Sequence, residues 1–137
     1  AQAVGHEPKD PLPIEDFLQV LVGTARTSEM EDKLEDVRAL LSQDAPPKRA
    51  ARELGQGVAV HRSLPFAIYA FLRHPDSFED CLFCAALNGG DRDTLGAMAC
   101  AISGAHLGVK AVPQMWRRKL QNREHIEDLA VQLKGMV

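Results

Sequence analysis

The segment Asn88-Gly89-Gly90-Asp91-Arg92-Asp93-Thr94 places two carboxylates and a hydroxyl directly after a glycine turn. Oxygen donors without nitrogen or sulfur suit a hard cation, Mg²⁺, Mn²⁺ or Ca²⁺, whereas zinc normally asks for softer ligands as well. Asp and Thr at a helix start are equally good N-caps and favourable neighbours of the helix dipole. Spacing alone therefore leaves both uses open, with capping the more frequent. Because Mg²⁺ prefers a near-octahedral shell of roughly six ligands, Asp91, Asp93 and Thr94 supply only part of one, and a full site needs donors from elsewhere.

Other reactive side chains give weaker patterns. Cys81-Leu82-Phe83-Cys84 has the spacing of half a zinc site or a redox pair, but the third cysteine, Cys100, is isolated and no second pair follows. The two thiols are expected to be reduced, buried packing groups, and three cysteines without a charged-then-apolar leader point to a cytoplasmic setting. Histidines at 6, 61, 74, 106 and 125 form no i, i+4 pair. Ser63 and Ser77 fall where helix caps are wanted, so no nucleophile-and-base set is indicated and no catalytic side chain is assigned.

The bulk composition agrees with a folded domain. The chain has 137 residues, 45% hydrophobic and 26% charged, which fits one globular unit. Sixteen Lys+Arg against nineteen Asp+Glu give 16 − 19 = −3, arguing against a nucleic-acid module held by phosphate neutralisation. Arg117, Arg118 and Lys119 form the densest cationic run, but acidic residues follow at Glu124, Glu127 and Asp128, as on a solvated helix face. The apolar run Leu95 to Val109 is too short for a membrane span.

Eight helices are expected to position these groups. Residues 1–13, with Gly5, Pro8, Pro11 and Pro13, read as an irregular lead-in, and an opening on Ala1 fits the cut end of something longer. Helices are predicted from Ile14 to Val22, from a Ser28 cap through Leu41, from Pro47 to Leu54, and from Leu64 to Arg73 behind Ser63. A fifth follows the Ser77 cap and stops at Asn88-Gly89-Gly90. The sixth runs from Thr94 to Val109 with Gly96, Cys100, Gly104 and Gly108 at four-residue steps, where a neighbouring helix can approach closely. A seventh begins at Pro113, and an eighth, His125 to Lys134, turns Ile126, Leu129, Ala130 and Leu133 inward. The glycines at 55 and 57 mark a turn where backbone can meet a ligand.

Several of these motifs, in this order, resemble the C-terminal part of the ADP-ribosylglycohydrolases, which include the ADP-ribosyl-acceptor hydrolases and dinitrogenase-reductase-activating glycohydrolase. The resemblance is carried by Gly89-Gly90-Asp91-Arg92-Asp93-Thr94, Ala101-Ile102-Ser103-Gly104-Ala105-His106-Leu107-Gly108 and Val112-Pro113 with Trp116. Upstream, Leu54-Gly55-Gln56-Gly57-Val58 and Ser63-Leu64-Pro65-Phe66-Ala67-Ile68-Tyr69 extend it, so that it is strongest over residues 54–134. Two positions depart from the family pattern: Arg92 stands where threonine is usual between the aspartates, and Cys100 where glycine is usual.

The resemblance implies an all-α orthogonal multi-helix bundle and hydrolysis of the ribosyl bond that joins ADP-ribose to a protein or related acceptor. It also implies two Mg²⁺ ions, with Mn²⁺ an acceptable substitute, held in part by Asp91, Asp93 and Thr94, and an adenosine-side contact at Gly57 and Val58. The family's Thr-Asp-Asp motif, its N-terminal acidic residue and its Gly/Ser-rich diphosphate loop have no counterpart here, and the chain contains no Asp-Asp pair. The expectation is therefore a C-terminal portion that needs an N-terminal half, in cis or in trans, with ADP-ribose or ADP-ribosylated protein as substrate and no nucleic-acid or membrane partner. Without that half, the Leu64–Arg73 helix is expected to expose apolar surface. The alternative is a non-enzymatic structural or binding module, because lens crystallins share the family.

Overall fold

A computed structural model describes residues 11–135. They form eight α-helices: α1 (Ile14–Thr24), α2 (Ser28–Ser42), α3 (Pro47–Leu54), α4 (Leu64–Arg73), α5 (Phe78–Asn88), α6 (Arg92–Leu107), α7 (Gln114–Lys119) and α8 (Arg123–Gly135). Short 3-10 turns at Val60–Arg62 and Val109–Ala111 complete the order, and no strand occurs among the described residues. The class is all-α, as the sequence predicts. Of the irregular lead-in, residues 1–10 lie outside the described residues, and residues 11–13 are non-helical.

The fold is built around α4. Its residues Pro65 through Leu72 are all buried, and it is packed by α2, α3, α5 and α6. Helix α4 is apolar nearly all round because every side of it meets another helix. The expectation that it would be left uncovered is thus corrected: this chain supplies its surroundings. Phe66 stacks on Tyr69 with ring centroids 5.9 Å apart, and Phe17 of α1 meets Phe71 edge-on at the same separation. The Tyr69 hydroxyl, fully buried, donates to the Ala45 carbonyl in the α2–α3 turn.

Local signals explain most helix ends, with several differences from expectation. Helix α1 runs on through Gly23 to Thr24, whose hydroxyl donates to the Leu21 carbonyl, where an end at Val22 was expected. The cap of α2 is Thr27, whose hydroxyl accepts from the Met30 N–H at 3.3 Å; Ser28 is already helical. Ser63 occupies the N-cap position of α4 but makes no cap bond, because its buried hydroxyl donates backward to the Ala59 carbonyl at 3.1 Å. Helix α6 starts at Arg92, two residues before Thr94, since Asp91 takes the cap, and it ends at Leu107, where Gly108 turns to φ +76°. Ser77 caps α5 as expected, accepting from the Asp80 N–H at 3.2 Å.

Helices α5 and α6 pack side by side around the 89–91 turn. Gly96 sets their approach: a Cβ there would lie 3.1 Å from the Leu82 side chain. Beside the row of Gly96, Cys100, Gly104 and Gly108, the alanines at 97, 101 and 105 face outward. Cys81 and Cys84 are free and buried, as expected. Burial pushes the Cys81 thiol up to about 12, with the neighbouring thiols adding to the effect, and the Cys84 thiol up to about 11.

Helix α8 departs most from the sequence reading. None of its residues is buried, and Ile126, Leu129 and Leu133, expected to face inward with Ala130, remain 46%, 45% and 65% exposed. Its apolar stripe is real, but no described element covers it. No helix among the described residues is long and apolar enough to cross a membrane.

Candidate functional site at the start of helix α6

The turn from α5 into α6 brings Asp91, Asp93 and Thr94 to one helix end. Asp91 is the N-cap of α6, and its Oδ1 accepts from the Thr94 N–H at 3.4 Å. Asp93 lies in the first turn, exposed. The Asp91 side chain, as donor when it carries the proton, and the backbone N–H groups of Asp93 and Thr94 hold the Asp93 carboxyl below the usual carboxylate range. The two carboxylates are thus close neighbours. Arg92, between them, is exposed.

The donor chemistry agrees with a hard cation in kind, since Asp91, Asp93 and Thr94 offer only oxygen. It falls short in number. Among the described residues no group of three or more His, Cys, Asp or Glu side chains is placed to hold a metal ion, so further donors are needed for a complete shell. The capping contact accounts for one Asp91 oxygen independently of any ion.

The turn after α3 is fastened to this helix end. The Asp91 N–H donates to the Gln56 carbonyl at 3.2 Å. Gly90 permits that approach, because a Cβ on it would lie 3.0 Å from the same carbonyl oxygen. Gly55 adopts φ +109°, which favours glycine, and a Cβ there would meet the Arg62 carbonyl oxygen at 2.9 Å. The expected close approach to a ligand is therefore, at Gly55, an approach to the chain's own backbone. Gly57 donates its N–H to the Arg62 carbonyl at 3.0 Å, and Val58 projects outward, 81% exposed.

Beside this junction runs a shallow groove lined by Lys48, Arg52 and Gln56 on one wall and Leu87, Asn88 and Gly89 on the other. Asn88 donates its side-chain N–H to the Cys84 carbonyl at 2.9 Å, which fixes the end of α5 against the glycine turn. Sequence reasoning missed both the Gln56 carbonyl contact and the groove cations. A signal existed in the i, i+4 spacing of Lys48 and Arg52, which puts both on one face of α3. The backbone contact leaves no mark in side-chain types.

Comparison with known proteins places these features in a family. The family model described as ADP-ribosylglycohydrolase matches residues 1–137. The chain is 38% identical over 112 residues to ADP-ribosylhydrolase ARH3 of Mus musculus, covering 74% of this chain and 30% of that protein. To the Homo sapiens protein of the same name it is 36% identical over 112 residues, covering 74% and 31%. To the Gallus gallus protein it is 32% identical over 146 residues, covering 85% and 40%. The chain thus spans about a third of the length of these relatives, and no solved structure matches it. With the family model matched from end to end and the Gly-Gly-Asp-x-Asp-Thr turn built onto the glycine turn after α3, the chain belongs to the ADP-ribosylglycohydrolase family.

Proposed function

We propose that this chain is the C-terminal, metal-carrying portion of a Mg²⁺-dependent hydrolase that cleaves ADP-ribose from modified proteins or related acceptors at the ribosyl bond. The observation that carries this reading is the junction itself: Asp91, the N-cap, and Asp93, in the first turn, both lie at the α6 start, and the Asp91 N–H is bonded to the turn that contains Gly57. Asp91, Asp93 and the Thr94 hydroxyl are the residues that would hold Mg²⁺ or Mn²⁺, two ions in the complete site. Bound there, the metal supplies charge that orients ribose hydroxyls and polarises water.

The chain's own residues contribute position and charge. The Gln56 carbonyl holds the Gly57–Val58 turn beside the carboxylates, so that an adenosine-side contact and the metal end belong to one local unit. The groove cations Lys48 and Arg52 favour an anionic ligand nearby. The remaining metal donors, the acid–base group and the diphosphate loop come from an N-terminal half, in cis or in trans. Three free thiols suit a cytoplasmic setting, and the proposed partners include neither nucleic acid nor membrane.

Turnover of ADP-ribosylated protein in the presence of Mg²⁺ tests the reading. The 137-residue chain alone is expected to show little or no hydrolysis, and adding the N-terminal portion of a family member should restore it. Asp93→Ala should abolish the restored activity. Robust hydrolysis by the isolated chain that vanishes in Asp93→Ala would show that the second half is dispensable. Restored activity that survives Asp93→Ala would remove Asp93 from the metal site.

A further inference from the structure

The groove beside the α6 start carries positive charge that nothing in the chain answers. Lys48 and Arg52, one turn apart on α3, line it with Gln56, and the space between them and the Leu87–Gly89 wall measures about 410 Å³. Neither cation forms an ion pair among the described residues, whereas Arg49, on the adjacent face of the same helix, is held by Glu53 at 2.7 Å. Among the described residues no acidic side chain lines the groove. The Arg52 Nε donates to the Lys48 carbonyl at 3.3 Å, which ties the guanidinium back along α3 and leaves its terminal N–H groups for an anion. Opposite, Asn88 uses one side-chain N–H on the Cys84 carbonyl and keeps its amide oxygen, and the Gln56 amide makes no hydrogen bond among the described residues.

We propose that this groove receives an acidic segment of the acceptor protein that bears ADP-ribose, with two carboxylates one residue apart pairing with Lys48 and Arg52. This rests on the reading that Asp91 and Asp93 mark the metal end, where the ribosyl bond to the acceptor is cut. Gly89, two residues before Asp91, belongs to the groove, so acceptor residues flanking the modified one run from the metal end into it. Spacing and chemistry select the occupant. Side chains four apart on a helix lie roughly 5–6 Å from each other at Cβ, and side chains two apart on an extended peptide share one face at roughly 6.5 Å. The open amides of Gln56 and Asn88 suit a peptide backbone, which a free diphosphate lacks.

The probes are unmodified synthetic peptides titrated at low salt into the isotope-labelled 137-residue chain and followed by its amide chemical shifts. A peptide with two glutamates separated by one residue should bind with shifts centred on Gln56, Asn88 and Gly89. Moving the glutamates three apart should weaken binding, since extension then puts them on opposite faces. Arg52→Gln should weaken it up to about fivefold, the effect of losing a well-formed exposed ion pair. Arg49→Gln removes the same charge from the adjacent face and should leave affinity unchanged. Lys48→Glu/Arg52→Glu should lose the glutamate peptide and take up its lysine counterpart. Circular dichroism of all three variants should match wild type, because the substituted side chains are exposed.

The proposal is overturned if the wild-type chain binds no glutamate peptide, or if Arg49→Gln weakens binding as much as Arg52→Gln, which would make net charge the cause. It is also overturned if inorganic pyrophosphate binds more tightly than the peptide and loses as much on Arg52→Gln, which would make a free phosphate the ligand. The hydrolase reading fails separately, since peptide binding needs neither Mg²⁺ nor the N-terminal portion. In the reconstituted complex Arg52→Gln should raise KM for an acceptor with acidic residues beside the modified one and leave kcat alone. Peptide binding without release of ADP-ribose keeps the groove and refutes the activity. Hydrolysis whose KM ignores Arg52→Gln does the reverse.

Discussion

Asp91 carries two roles that substitution can separate. As the N-cap of α6 its Oδ1 meets the Thr94 N–H at 3.4 Å, and as a proposed metal ligand it needs its negative charge. Asp91→Ala removes both. Replacing a capping Asp by Ala costs roughly 0.5–2 kcal/mol, and the length of this contact places the loss near the lower end, about 0.5–1 kcal/mol. For a domain of this size that lowers the thermal midpoint by roughly 2–4 °C. Asp91→Asn keeps an equally good capping oxygen and should melt within about 1 °C of wild type without metal. Scanning calorimetry with and without millimolar Mn²⁺ then distinguishes the roles. Ligand binding at 100 times its Kd adds roughly 2.7 kcal/mol, and at concentrations near Kd still about 0.4 kcal/mol, so a partial site gives a measurable rise. Wild type should gain midpoint with Mn²⁺, and both variants should lose that gain. An Asp91→Asn protein that gains as much as wild type would refute the ligand role, and an Asp91→Ala protein with an unchanged midpoint would refute the cap.

Three further outcomes are expected. Gly96→Ile should cost about 1–3 kcal/mol by pushing against Leu82, which a drop of several degrees in thermal unfolding will show; a midpoint within 1 °C of wild type would contradict the close α5–α6 contact. Because Cys81 and Cys84 titrate in the folded chain only near 12 and 11, against about 9 when unfolded, their contribution to stability is full below pH about 9 and is lost as pH rises through 11 to 12. Denaturant titrations from pH 8 to 11 should therefore show falling stability, and at pH 8 a thiol reagent should leave both cysteines unmodified until the chain unfolds.

Local chemistry made much of this architecture legible. Pro47 at a helix start and Gly55 after its end fix α3, and the unbroken apolar character of Leu64–Leu72 marks α4 as central. Competition between adjacent caps was not legible: Asp91 prevails over Thr94, and Thr27 over Ser28, through backbone geometry that residue type does not encode. Periodicity also could not say whether the α8 stripe finds a neighbour, since that depends on which other helices are present. For the candidate site, the spacing of Asp91, Asp93 and Thr94 was visible, but the Gln56 carbonyl that accepts from the Asp91 N–H belongs to the main chain and left no pattern to read.

The complete enclosure of α4 determines how the polypeptide can be divided. A cut on either side of residues 64–73 strips one flank from a helix that has no face suited to water, exposing either the surface that α2 and α3 cover or the one that α5 and α6 cover. Neither fragment retains a closed interior, so split-reporter halves separated there should aggregate before they find each other. Insertions and new termini belong instead at the exposed junction around Gln121 and Asn122, between α7 and α8, where a break leaves every buried side chain with its neighbours.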